Sequence, residues 1–193
     1  MPLLHEIDDL RRERQRVEAR PSPEEAPPVL AVFAVATSAD PRDYIRRVRS
    51  VLSAALDLAV SESFDDEDLP TAGIPAWFAA VSGAPGGRIP EFSRHGRDRY
   101  RTAVNGKPWD LQWWLFEFAP DNEFRGWAWW DVTQTDVPQA AEERRVRVWV
   151  DSWGESFFAC DEFRWLLHTA GADEVSGPSL ADASEWVREV PGR

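Results

Sequence analysis

From Arg145 to Asp151 the chain alternates, with Val146, Val148 and Val150 on one parity and Arg145, Arg147, Trp149 and Asp151 on the other. A period of two predicts a strand with one buried face, and the valine side is the core side. Leu111 to Phe118 and Gly126 to Thr133 read as two further strands, antiparallel to it in a meander. A register that keeps apolar residues together sets Trp114, Phe116, Phe118, Ala128, Trp130 and Val132 beside the valines. The opposite face then carries Trp113, Trp127, Trp129 and Trp149, with Glu117, Asp131, Asp151 and Arg147 among them. The stretch from Trp109 to Trp153 holds eight of the eleven tryptophans, so this sheet is the centre of the expected fold.

Val29 to Ala36 is an unbroken apolar run, as for a strand buried on both faces and therefore central in its sheet. Asn105-Gly106 is a strong hairpin signal and adds a strand over Arg99 to Val104. Asp40, Pro41 and Asp43 start a helix that runs to about Val60, with Tyr44, Val48, Val51, Ala55 and Leu58 as its buried stripe. Short helices are expected at Pro75 to Ser82 and after Pro178-Ser179, the latter with Leu180, Ala183 and Val187 inward. Asp161 begins another, with Phe163, Leu166, Leu167 and Ala170 inward and Gly171 just past its end. Ala84 to Gly96 reads as irregular because of its Pro and Gly content.

Residues 3 to 20 show a helical stripe of Leu3, Ile7, Leu10 and Val17, interrupted at Arg14 and too short to be stable alone. Docking of this helix on its own domain is favoured over its use as a dimerisation coil. Pro21 to Pro28 contains four prolines in eight residues and suits a stiff linker. The expected organisation is a helical appendage at 1–20, a linker at 21–28 and one α+β domain at 29–193. Its sheet is mostly antiparallel and five-stranded, one N-terminal strand plus a four-strand meander, packed with helices.

Composition narrows the function classes. The net charge of −12 disfavours nucleic acid or an anionic membrane as partner and permits a basic protein. Cys160 is the only cysteine, which leaves no intramolecular disulfide and no cysteine-based metal centre within one chain. With no signal-peptide pattern and no membrane-spanning apolar run, the expected location is cytoplasmic.

Catalytic motifs are missing. Cys160 and His168 would lie about 12 Å apart on one helix, beyond hydrogen-bond reach. His168 is read instead as a charge complementing the helix C-terminus. His5, His95 and His168 lie in three distant segments, which argues against a histidine metal site. The acidic loop with Asp65, Asp66, Glu67 and Asp68 lacks the spacing of a calcium loop. No metal and no cofactor are expected.

The aromatic face is the better functional signal, because tryptophans mixed with an arginine are the composition of interface hot spots. Cover of that face by the protein's own helices is nevertheless favoured over an open binding face, since Trp is usually largely buried. The expected function is a non-catalytic, acidic protein-binding module, of inhibitor or immunity type, for a basic partner. Its binding residues would be Trp113, Trp127, Trp129, Trp149, Arg147, Glu117, Asp131 and Asp151. Two alternatives stand beside it: a small acid/base enzyme acting on carbohydrate through Glu117 and Asp151, and an adaptor that oligomerises through residues 3–20.

Overall fold

The computed structural model describes residues 5–65, 68–134 and 144–192. The fold is α+β, and among the described residues it holds a single antiparallel sheet of five strands in the order β4-β1-β3-β2-β5. The strands are β1 (Val29–Thr37), β2 (Ala128–Gln134), β3 (Arg144–Asp151), β4 (Glu174–Asp182) and the two-residue β5 (Val190–Pro191). As its apolar run predicts, β1 is central, paired with β3 on one side and β4 on the other.

Helices cover the two faces unequally. One face packs a large core against α1 (Ile7–Glu18), α2 (Pro41–Ser61), α3 (Ala76–Val81), α4 (Glu91–Val104), α5 (Leu111–Phe116) and α6 (Asp161–Thr169). Phe33, Val146, Val148 and Val150 face this core, so the valine parity of β3 holds. The other face carries a smaller cluster of Leu30, Val32, Trp130, Trp149 and Ala181 under Trp186 of α7 (Ala183–Arg188). Among the described residues no helix is long and apolar enough to cross a membrane.

Several local expectations hold. The Asp40 side chain accepts from Arg42 N and Asp43 N ahead of Pro41, and starts α2. Gly171 follows α6 with φ +114°, a conformation that favours glycine. In α7, Ala183 and Trp186 are buried, whereas Val187, and Leu180 on β4, both expected inward, are exposed.

Three expectations fail, and the five strands are not the predicted meander. Leu111–Phe116 is a helix: the Asp110 carboxylate accepts from Gln112 N and Trp113 N, and Leu111, Trp114, Leu115 and Phe118 form a buried helical stripe. The apolar character of both parities in this segment masks that stripe behind a false period of two.

Arg99 to Val104 belongs to α4, which also takes in much of the stretch read as irregular. The inward side of α4 is made of Ser93, Gly96 and Tyr100, and its small residues let it approach α6 so closely that a Cβ on Gly96 would overlap the His168 carbonyl. Asn105, with φ +52°, caps α4 in the left-handed conformation instead of turning a hairpin. Asn-Gly marks positive φ, and a helix end uses that as well as a hairpin does.

The third correction is β4, where a helix start was expected. Gly177 and Pro178 are tolerated because β4 is an edge strand, and its pairing with β1 slips between Val32 and Ala34.

Candidate functional site

The tryptophan face is divided by a bulge in β2. Trp129 lies opposite Val150 and Asp131 opposite Trp149, which leaves Trp130 as the extra residue. Trp127, Trp129 and Val132 therefore enter the large core, while Trp130 and Asp131 turn to the α7 side. Trp127, Trp129 and Trp149 are fully buried, and Trp113, 73% exposed, stands apart on α5. The four rings placed together by strict alternation do not form one face, and three of them are covered by the protein itself. One inserted residue inverts the parity of everything beyond it.

Of the eight expected binding residues, Trp149, Asp131 and Arg147 do come together, but beneath the C-terminal segment. Trp186 Nε1 donates to Asp131 Oδ2 at 2.8 Å, and Arg20 and Arg49 lie 3.6 and 3.8 Å from this carboxylate. Trp149 Nε1 donates to Thr133 Oγ1 at 2.8 Å. Thr133 in turn donates to Glu189, which also pairs with Arg147, whose guanidinium lies 4.7 Å over the Trp149 ring. These contacts bind α7 to the sheet. Burial raises the Asp131 carboxyl above the usual range despite its two arginines.

Perturbed ionisable groups gather instead at the end of the sheet where β2 begins, β3 ends and α6 starts. Arg125 and Glu13, both fully buried, form a two-pronged ion pair at 2.9 and 3.0 Å. Glu13 also accepts from Trp129 N at 2.7 Å. Arg125 lies 4.6 Å over Phe118 and 5.2 Å over Trp127. The His5 ring completes the group, with Nε2 2.7 Å from the Arg125 carbonyl and Nδ1 3.0 Å from Arg125 Nη2. A carbonyl only accepts and a guanidinium only donates, so the imidazole is neutral with its proton on Nε2.

The titration directions agree. Burial, then the Arg125 charge, lowers His5 to about 4. Burial alone would raise Glu13, but Arg125 outweighs it and holds the carboxyl below its ordinary value. Glu162, at the start of α6, has lost its water and is pushed up to about 7 while accepting from Trp127 Nε1. Burial also raises Glu117, which Asn122 Nδ2 contacts, and Asp151, which accepts from Trp153 N at 2.8 Å. Clustered perturbed groups mark a candidate site, although structural ion-pair networks perturb titrations too.

A cleft of about 660 Å³ opens beside the cluster, between α1, the segment that follows it, and the ends of β2 and β3. His5, Glu13, Arg16, Trp130, Asp151 and Trp153 help to line it. Asp151 is thus the one expected binding residue on the cleft, and Glu117 is not among its lining. Sequence reasoning missed His5, Glu13, Arg125 and Trp153. Glu13 left a trace, since it lies on the helical stripe between Leu10 and Val17, where a carboxylate calls for a buried partner.

His168 is also corrected. It is buried against α4 and lowered to about 4, by burial first and then by Arg164 and Arg99, so it stays neutral and gives the helix end no charge. Among the described residues, no group of three or more His, Cys, Asp or Glu side chains could hold a metal ion. Asp66 and Glu67 of the acidic loop lie outside the described residues. No family model matches the chain, and no curated protein or solved structure resembles it significantly.

Proposed function

We propose that this chain is a cytoplasmic, non-catalytic binding module for a basic protein, and that it docks through the two loops at the cluster end of the sheet. One observation carries the reading: Phe124 and Phe157 are 80% and 94% exposed on loops that touch each other, where Gly126 packs against Phe158 and Ala159. Asp121, Glu123 and Glu155 flank them and are exposed. Large rings set among carboxylates suit a partner with an apolar contact ringed by Lys or Arg, which the net charge of −12 would help to steer in.

The buried cluster supports this role by anchoring the first loop. Arg125 ties it to Glu13, the His5 carbonyl accepts from Asp121 N at 2.9 Å, and Asn122 Nδ2 donates to the Glu117 carbonyl at 2.8 Å. A rigid loop loses less freedom on binding. An adaptor role through residues 3–20 has less support, because Leu10 and Val17 are already spent inside the molecule, where α1 packs on α2 and β2.

The test is photocrosslinking in cells with a benzophenone amino acid at position 157, against the same probe at exposed position 101. A discrete adduct with a basic protein is expected at 157 only, diminished by Phe124→Ser and by raised salt. Equal labelling at both positions, or no adduct at 157, would discard the reading.

A further inference from the structure

We propose that the cleft between α1 and the ends of β2 and β3 is a binding site for a neutral oligosaccharide, separate from the Phe124 and Phe157 surface. At about 660 Å³ it has the volume of a small-ligand site and exceeds the space a few waters need.

Its lining lacks a dominant charge. Arg12, Arg16 and Arg20 oppose Asp9, Glu13, Glu25 and Asp151, three cations against four acids. Most of these are already engaged. Arg12 pairs with Asp9, Glu13 with Arg125, and Arg20 lies by Asp131, while Glu25 accepts from Ser22 N. Such a surface has no net field to hold a phosphate or a polycation.

Unspent hydrogen-bonding capacity of both kinds remains. Arg16 donates its Nε to the Trp129 carbonyl at 2.9 Å and forms no ion pair within 4 Å among the described residues, the charges of Glu13 and Asp151 acting on it from further away. Among the described residues the Asp151 side chain accepts from Trp153 N alone. Trp130 is 4% exposed in the lining, 5.0 Å from the Arg16 guanidinium, with its Nε1 buried away from the cleft. A ligand for this lining must present donors and acceptors together, without charge. Sugar hydroxyls are both at once.

The second requirement of a sugar is an aromatic plane for the apolar C–H face of its ring. Trp153 provides one. It is 41% exposed, and His5 meets it edge-on, with centroids 5.3 Å apart and planes at 80°. Its φ is +52°, a backbone conformation unfavourable for a bulky residue and one that tends to persist where a position serves a function.

The experiment is titration of the full chain with maltotriose, cellotriose, xylotriose and chitotriose at up to millimolar concentration, followed by tryptophan fluorescence and calorimetry. Inorganic phosphate and a nucleoside monophosphate serve as comparisons. Saturable binding of at least one trisaccharide is expected, weakened at least tenfold in both Trp153→Gly and Asp151→Asn. The asparagine retains an acceptor for Trp153 N, so loss of binding with an unchanged unfolding midpoint reports the site and not the fold. Absence of binding by all four sugars, binding unaffected by either variant, or saturation by phosphate or nucleotide alone would overturn the proposal.

Discussion

Glu13 and Arg125 are 112 residues apart in sequence and meet 2.9 Å apart with no exposure to solvent. Glu13→Gln should leave the guanidinium uncompensated and destabilise the fold by about 3–5 kcal/mol. Adding Arg125→Met should restore much of that loss, because it removes the orphaned charge while the glutamine carbonyl can still accept from Trp129 N. Urea unfolding of the two variants checks this. A double variant no more stable than Glu13→Gln would show that the pair does not act as a unit.

Acid stability should depend on groups that titrate in opposite senses. The unfolded chain protonates His168 at 6.5 but the folded protein only at about 4. Its contribution is therefore complete above pH 6.5 and is lost as pH falls toward 4, by about 3 kcal/mol in all. His5 acts in the same sense. Glu162, raised from 4.5 to about 7, has the reverse slope, since the folded state holds its proton more tightly and loses stability as pH rises through that window. His168→Leu should flatten the profile between pH 4.5 and 6.5, and Glu162→Gln should steepen it. Among the described residues His168 has no hydrogen-bond partner at either ring nitrogen, so the leucine breaks no bond there. Unfolding midpoints measured across this range distinguish the two slopes.

Gly96→Ala reverses a familiar rule. Alanine in a helix interior usually gains about 1 kcal/mol over glycine. Here the new methyl group would meet the His168 carbonyl and force α4 away from α6. A net loss of about 3 kcal/mol or more is expected from overpacking against backbone. Thr102→Ala, on the exposed side of α4, should change stability by less than about 0.5 kcal/mol. Thermal unfolding of the two variants measures the difference.

Trp153→Gly should separate folding from binding. Relief of the left-handed backbone is worth about 1 kcal/mol and offsets only part of what is lost with the edge contact to His5 and the buried half of the ring, leaving a net loss of about 2 kcal/mol. The protein should remain cooperatively folded at room temperature while trisaccharide binding is lost. A large drop in stability would make Trp153 a structural residue.

The sequence by itself determined much of the scaffold. Asp40 followed by Pro41 starts a helix through short-range donors and a preset φ, and Gly171 ends one through its tolerance of positive φ. The apolar run of β1 requires cover on both faces, and the valine parity of β3 names its core side. These features are legible because their causes lie within a few residues of one another.

Tertiary structure decided the rest. The segments at Glu91–Val104 and Leu111–Phe116 are helices because α6 and the large core select the stripes of Ser93, Gly96 and Tyr100 and of Leu111, Trp114 and Leu115. The extra residue at Trp130 moves Trp127 and Trp129 into the core and Trp130 out of it, a shift fixed by pairing with β3. The cleft and the cluster beside it are built from α1 and, more than a hundred residues further along the chain, the loop before β2 and the turn after β3. Periodicity records how a segment alternates, but which parity faces the core, and which distant charge neutralises Glu13, follow only when the strands and helices meet.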